Sequence, residues 1–269
     1  MKKALLNLYF WPLFGLISVV AFAGLPLLLL ANRLVIRQPM DVFIRRGVRI
    51  YGWILVRVVP FMAPVRVEDK SGTLELPAIF VANHNSAVDP YLFGALPYEN
   101  AFVTTWPFKI PFYKYVMGMA RYINANAGWD QVLREGRKLM ERGSSLIIWP
   151  EGHRSRDGRL RRFRNGAFRL AVQTGRPIVP VCIKGTYKLL PHGRRLLTPS
   201  RISMVVLPPI YPEPQDRTAD AVRLLKQKTL AAMTCELGRT AVAGKPAAAC
   251  APALASGPKP ANMHPKKTT

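Results

Sequence analysis

The chain is short of acid, of cysteine and of histidine. Against 39 lysines and arginines stand 15 aspartates and glutamates, a formal net charge of +24. No ordinary soluble enzyme needs such an excess, which implies an anionic partner: acidic lipid, an acidic protein or nucleic acid. The three cysteines, Cys182, Cys235 and Cys250, are unevenly placed and far from any metal-ligand spacing. They read as reduced cytosolic thiols and not as a disulfide framework. His-x-x-x-His and paired cysteines are both absent, so His153 and His192 have no companions for a metal site. Missing too is the Gly-x-Ser-x-Gly elbow of the hydrolases, which argues against Ser86 as a nucleophile.

What is there begins with a long apolar run. Lys2 and Lys3 precede Ala4 to Ala31, broken only by Asn7, Pro12, Gly15, Ser18, Gly24 and Pro26. That exceeds the about 20 residues needed to cross a hydrocarbon core. Ala21-Phe22-Ala23 imitates a signal cleavage site, yet cleavage there would leave Leu25 to Leu30 exposed at a new terminus. The run therefore reads as an uncleaved anchor. Cations flank both of its ends and give no clean orientation, and its prolines and glycines leave a spanning helix and a re-entrant hairpin both open. From Val42 to Pro64, Arg45, Arg46, Arg49 and Arg57 alternate with apolar residues. This suits a basic helix at a headgroup boundary, anchored by Tyr51 and Trp53, with an ordinary core helix as the alternative.

Residues 1–64 are thus expected to be a membrane anchor and an interfacial helix, followed by one α/β domain over 65–238. Strands are expected at Val65 to Glu68, Ala78 to Ala82, Ala101 to Thr104, Ser145 to Trp149, Ile178 to Ile183 and Ile202 to Leu207. Helices are expected at Pro90 to Leu96, Gln131 to Arg142, Gly166 to Thr174 and Asp220 to Leu237. Such alternation predicts a sheet with helices on its faces. The stretch 239–269, rich in Ala, Pro, Gly and Lys without apolar period, reads as a disordered basic tail.

Two strand ends carry chemistry. Asn83-His84-Asn85-Ser86-Ala87-Val88-Asp89 sits on a strand-to-helix turn, with Asp89-Pro90 reading as N-cap and first helical residue. On a continuous helix, residues five apart would point about 140° away from each other. His84 and Asp89 can therefore face one another only across a loop. There the carboxylate would fix the ring tautomer while the other nitrogen takes a proton from a hydroxyl. A polar loop with a helix cap is the plainer reading of these seven residues alone. The second strand end is Leu146 to Arg156, where an apolar run closes in Pro150-Glu151-Gly152 and a series of cations begins. Open α/β sheets place their sites at such strand ends.

His84 through Asp89 match the His-x4-Asp signature, and Trp149-Pro150-Glu151-Gly152-His153-Arg154-Ser155 resembles the Phe-Pro-Glu-Gly-Thr-Arg-Ser signature, of the glycerolipid acyltransferases. Ile178-Val179-Pro180-Val181 with Lys184-Gly185-Thr186 resembles that family's later Val-Pro-Val strand. The three blocks stand in the family's order and cover roughly residues 75 to 210. The resemblance implies a mixed sheet flanked by helices, behind an N-terminal membrane-embedded helical segment. It also implies a membrane-bound enzyme on the cytoplasmic face of the inner membrane. Its reaction would pass a fatty acyl group from an acyl-CoA or acyl carrier protein thioester to 1-acylglycerol-3-phosphate, giving phosphatidic acid. No further cofactor, no metal and no nucleic acid are expected.

In that frame His84 is the base and Asp89 its orienter, with direct attack by the acceptor hydroxyl. Arg154 is the candidate for the acceptor phosphate, which a guanidinium fork matches bidentately. Glu151 would position Arg154 or an acceptor hydroxyl, Gly152 would present its N–H, and Lys109 sits near a family lysine. Two departures leave another lysolipid open as acceptor, such as a lyso-ornithine lipid or a lysophospholipid. His153 stands where the family has Thr, and in Gly118 to Ala125 the position of a phosphate-holding arginine is taken by Ala125. Arg156, Arg159, Arg161, Arg162, Arg164 and Arg169 are expected as charges at the membrane face or a dock for an acidic carrier protein. The strand Val179 to Ile183 lines an acyl slot or packs the core. A basic membrane-binding module without catalysis is the remaining, non-enzymatic reading.

Overall fold

The apolar runs that precede the two motifs lie side by side in one sheet. In the computed structural model, which describes residues 1–58, 63–213 and 218–239, that sheet has seven strands. They are β1 (Val65–Asp69), β2 (Ile79–Ala82), β3 (Asn100–Thr104), β4 (Ile123–Asn124), β5 (Ser145–Ile148), β6 (Ile178–Lys184) and β7 (Ile202–Val206). Their spatial order is β1-β7-β6-β2-β5-β3-β4. The five strands from β6 to β4 run parallel, β7 is antiparallel to β6, and β1 pairs parallel with β7. The sheet is mixed, as expected. β2 is buried along its whole length and β6 in all but its last residue. That is why both read as unbroken apolar runs and not as an alternation.

Because these strands are parallel, the carboxyl ends of β2, β5, β3 and β4 share one edge of the sheet. The loops bearing His84, Trp149, Lys109 and Ala125 all leave from that edge. Helices cover the faces: α3 (Asp89–Leu92), α4 (Tyr113–Met119), α5 (Trp129–Glu141), α6 (Gly166–Thr174), α7 (Thr186–Leu189) and α8 (Ala219–Arg239), in chain order after the two N-terminal ones described below. The helix expected over residues 90–96 is a single α turn continued by a 3₁₀ turn, Phe93–Ala95. A second 3₁₀ turn, Trp106–Lys109, together with α4, α7 and the two-residue β4, was not announced by any periodicity, being too short to show one.

The N-terminal run forms one helix, α1 (Lys2–Ala31), which passes unbroken through Pro12 and Pro26 and continues in a π turn, Asn32–Ile36. The hairpin alternative is therefore not adopted. From Lys2 to Ile36 the segment is long and apolar enough to cross a membrane. Its first turns are tied to the domain. Leu6 and Phe10 are buried, and the Asn7 amide both donates to the carbonyl of Leu197 and accepts from its N–H, each at 2.8 Å. Farther along, Leu16, Val19, Val20 and Leu27 face outward.

The next helix, α2 (Met40–Val58), crosses the 3₁₀ turn behind α3 at backbone distance. A methyl group on Gly94 would collide with the backbone of Arg49, Gly52 and Trp53. Trp53 is exposed, and Tyr51 shares a 2.8 Å hydrogen bond with Ser18 of α1. Arg45 corrects the interfacial reading of this helix: it is buried and bonded to Glu99, Asp41, the carbonyl of Ala120 and Ser144. The remainder of the anticipated interfacial segment, 59–62, and the expected tail from residue 240 onward lie outside the described residues.

Candidate active site

Six residues, 83–88, join β2 to α3, and they bend so that the ring of His84 meets the carboxylate of Asp89. His84 Nδ1 lies 2.9 Å from Asp89 Oδ2. The N–H groups of Asn85 and Ser86 donate to the same oxygen at 2.7 and 2.8 Å. An ionised carboxylate only accepts hydrogen bonds, so Nδ1 carries the proton of the neutral ring. Nε2 is left unprotonated, which is the form a general base requires. Asp89 is fully buried, whereas the His84 side chain is 19 % exposed. The expected N-cap role of Asp89 is not observed. Asp89 is itself the first helical residue, and its oxygen closes the loop behind it instead of capping the turn ahead. Asn83 secures the loop from the other side, exchanging hydrogen bonds with the backbone of Ile183 at the end of β6.

The turn after β5 supports the same histidine. Glu151 Oε1 accepts the backbone N–H of His84 at 2.8 Å, and Oε2 accepts that of Arg161 at 3.1 Å. In return, the carbonyl of His84 accepts the N–H of Ser155 at 2.6 Å. Burial lifts the Glu151 carboxyl above the ordinary carboxylate range, with the two amides pulling the other way. Among the described residues the expected pairing of Glu151 with Arg154 is not seen; each carboxylate oxygen accepts a main-chain amide. Gly152 also departs from expectation. Its φ of +77° suits glycine, but its N–H donates to the carbonyl of Trp149 within a tight turn and is not presented to a ligand.

Arg154, by contrast, is half-buried, and among the described residues its guanidinium pairs with no carboxylate. It is free to take an anion. Lys109 is exposed on the 3₁₀ turn after β3, and Ala125 follows β4, so both stand on the site's edge of the sheet. Ser86 is settled otherwise: its hydroxyl donates to the carbonyl of Leu190 at 2.8 Å and is fully buried. Trp149, to which the sequence reading gave no role, stacks on His84 with 4.9 Å between ring centroids. Arg156, Arg159, Arg161, Arg162 and Arg164 are exposed along the segment that follows this turn, and Arg169, on α6, lies over the ring of Trp129.

Comparison with known proteins bears on the family and the fold. Residues 64–184 match the family model described as Acyltransferase, a span that holds both motifs and the strands beneath them. A chloroplastic 1-acyl-sn-glycerol-3-phosphate acyltransferase of Brassica napus is 29% identical over 76% of this chain and 60% of its own. One of Arabidopsis thaliana is 29% identical over 64% of this chain and 50% of its own. The solved structure of the 1-acyl-sn-glycerophosphate acyltransferase of Thermotoga maritima superposes with a TM-score of 0.73 at 26% identity, covering 90% of this chain and 98% of that one.

The chain belongs to the acyltransferase family. It spans about half to 60% of the length of the two chloroplast relatives. Within this acyltransferase the alternative placed on Val179 to Ile183 resolves to core, since all these residues are fully buried in β6. An apolar recess lies elsewhere, between α1, α2 and the domain. Phe10, Leu55, Val88, Leu92, Leu189 and Ile202 line it, and Val88 is the neighbour of Asp89.

Proposed function

We propose that this acyltransferase moves a fatty acyl group from an acyl thioester to the free hydroxyl of 1-acyl-sn-glycerol-3-phosphate, giving phosphatidic acid. The observation that carries the reading is the 2.9 Å contact between His84 Nδ1 and Asp89, which leaves Nε2 as the base. Nε2 takes the proton of the acceptor hydroxyl as its oxygen bonds to the thioester carbonyl carbon. The tetrahedral intermediate then collapses, the carbon–sulfur bond breaks, and the thiolate receives the proton from the imidazolium. No acyl group is held on the protein, consistent with Ser86 being committed to Leu190. Arg154, unpaired and beside Glu151, binds the acceptor phosphate, with Lys109 as a second cation on the same edge.

The donor is acyl-CoA or acyl carrier protein, and the exposed arginines after Arg154 offer charge complementary to either thioester and to acidic lipid. Anchorage through α1 and the net positive charge support an enzyme on the cytoplasmic face of the inner membrane, where these donors are made. A second reading, acylation of another lysolipid, draws on Ala125 and the exposed His153.

The deciding experiment offers detergent-purified protein a long-chain acyl thioester with lysophosphatidic acid, lysophosphatidylethanolamine or a lyso-aminolipid, and follows thiol release. Acylation of lysophosphatidic acid alone supports the named reaction. Preference for either other acceptor transfers support to the second reading, and turnover unaffected by His84→Ala sinks both.

A further inference from the structure

The proposed chemistry makes no use of Trp149. This residue follows β5, and β5 lies between β2 and β3 in the sheet. Its indole therefore meets a ring from each flanking strand: His84 after β2, at 4.9 Å and 30° between planes, and Phe102 of β3, at 5.6 Å and 17°. Phe93, on the 3₁₀ turn behind α3, meets it edge-on at 6.0 Å and 89°. Two aromatic partners hold the indole, and the indole face in turn bears on the imidazole. Asp89 restrains His84 through a single ring nitrogen, which leaves rotation of the ring plane to be limited by packing.

We infer that Trp149 is a positioning residue for His84, its indole face setting the plane of the imidazole and stabilising the imidazolium that forms when the base takes a proton. The inference rests on His84 being the general base, and it deepens that reading. A cation within about 6 Å of an indole face is attracted by the ring quadrupole, more strongly than by a phenyl face. Among the described residues, Asp89 meets the His84 ring and Glu151 accepts its backbone N–H, both acidic. Arg161 donates its backbone N–H to the second oxygen of Glu151. The family signature has phenylalanine at this position, so the stronger face is a feature of this chain.

The test needs no substrate. Contact with an imidazolium quenches indole emission and contact with the neutral ring does not. The fluorescence of the full-length, ligand-free protein should therefore rise as the pH is raised through the histidine range, about 5 to 8. That titrating component should vanish in both Trp149→Phe and His84→Gln, while Trp11, Trp53, Trp106 and Trp129 keep their emission. In parallel, Trp149→Leu should lower kcat about 2- to 30-fold with KM little changed, a split that a merely structural role would not give, and Trp149→Phe should lower it less. A wild-type emission lacking any component that both substitutions remove, or an unchanged kcat in a folded Trp149→Leu protein, overturns the proposal. Should Trp149→Leu not fold, the emission comparison with Trp149→Phe decides alone. Because the contact is read without donor or acceptor, an intact quench in a protein that acylates no lysolipid would sink the functional reading while leaving the contact between Trp149 and His84 established.

Discussion

The two edges of the sheet handle charge in opposite ways. At the edge where β3 and β5 begin, Arg45 is buried with four hydrogen bonds from its guanidinium: to Glu99 at 2.6 Å, the carbonyl of Ala120 at 2.9 Å, Ser144 at 3.0 Å and Asp41 at 3.3 Å. At the edge where β2 and β5 end, cations are left open. Among the described residues Arg154 meets no carboxylate, and His84 is bonded through one ring nitrogen, Nδ1. A closed network rigidifies and joins elements, here α2 to the domain. An open one is available for binding and proton transfer, and it stands where parallel strands release their loops. Positive charge is thus spent on structure at one edge and left open at the other.

The contrast is broken most sharply at the open edge. His84→Ala should lower thiol release by about 10²- to 10⁴-fold, with thermal unfolding little changed, because only one partly exposed ring is removed. Unfolding well below the wild-type temperature would make His84 a structural residue and erase the distinction. At the closed edge, Arg45→Met should cost about 2–3 kcal/mol in denaturant unfolding, by taking its partner from Glu99 and leaving Asp41 only the longer contacts to Arg121 and Arg142, while the pH profile of the folded enzyme keeps its shape. A smaller effect is expected between the two, at Ser86→Ala. Losing the buried bond to Leu190 should cost about 1–2 kcal/mol of stability, with turnover retained. Abolished turnover in a stable Ser86→Ala protein would revive the serine nucleophile.

The smallest effect is expected at Glu236 of α8, which bonds Lys70 and the last residue of β6, Lys184. Burial opposes its ionisation, but hydrogen bonds from Lys70 and Lys184 prevail and hold its carboxyl below the ordinary 4.5. A depressed carboxylate adds stability that is present above its unfolded-state value and is lost as pH falls through the folded one. Glu236→Gln should therefore lower stability at neutral pH and flatten its decline below about pH 4.5. A variant whose urea midpoint falls with acid as steeply as the wild type's would show that this pair contributes nothing.

Much of this was legible beforehand. Runs such as Ile79-Phe80-Val81-Ala82 and Ser145-Leu146-Ile147-Ile148 announce buried strands because an interior parallel strand must be apolar on both faces. The facing of His84 and Asp89 followed from their spacing, since no helix could supply it. Illegible were the contacts made by backbone groups, which carry no sequence signature. Neither the grip of Glu151 on the main chain of His84 nor the self-satisfied turn at Gly152 differs in sequence from the roles expected of them. Arg45 looked like its neighbours Arg46 and Arg49, and only the packing of α2 against β3 and β5 singled it out for burial.

By itself, then, the chain's composition and spacing determined a basic α/β protein with a long apolar N-terminal helix, a histidine and a carboxylate after one strand and an arginine-bearing turn after another. Apolar periodicity and short-range loop geometry are local properties, and local properties are written in sequence. Tertiary structure alone decided which cation is buried and which is free, which hydroxyl is spent on a carbonyl, and that the ring of Trp149 lies against His84. Each of these depends on the order in which strands distant in the chain become neighbours in the sheet.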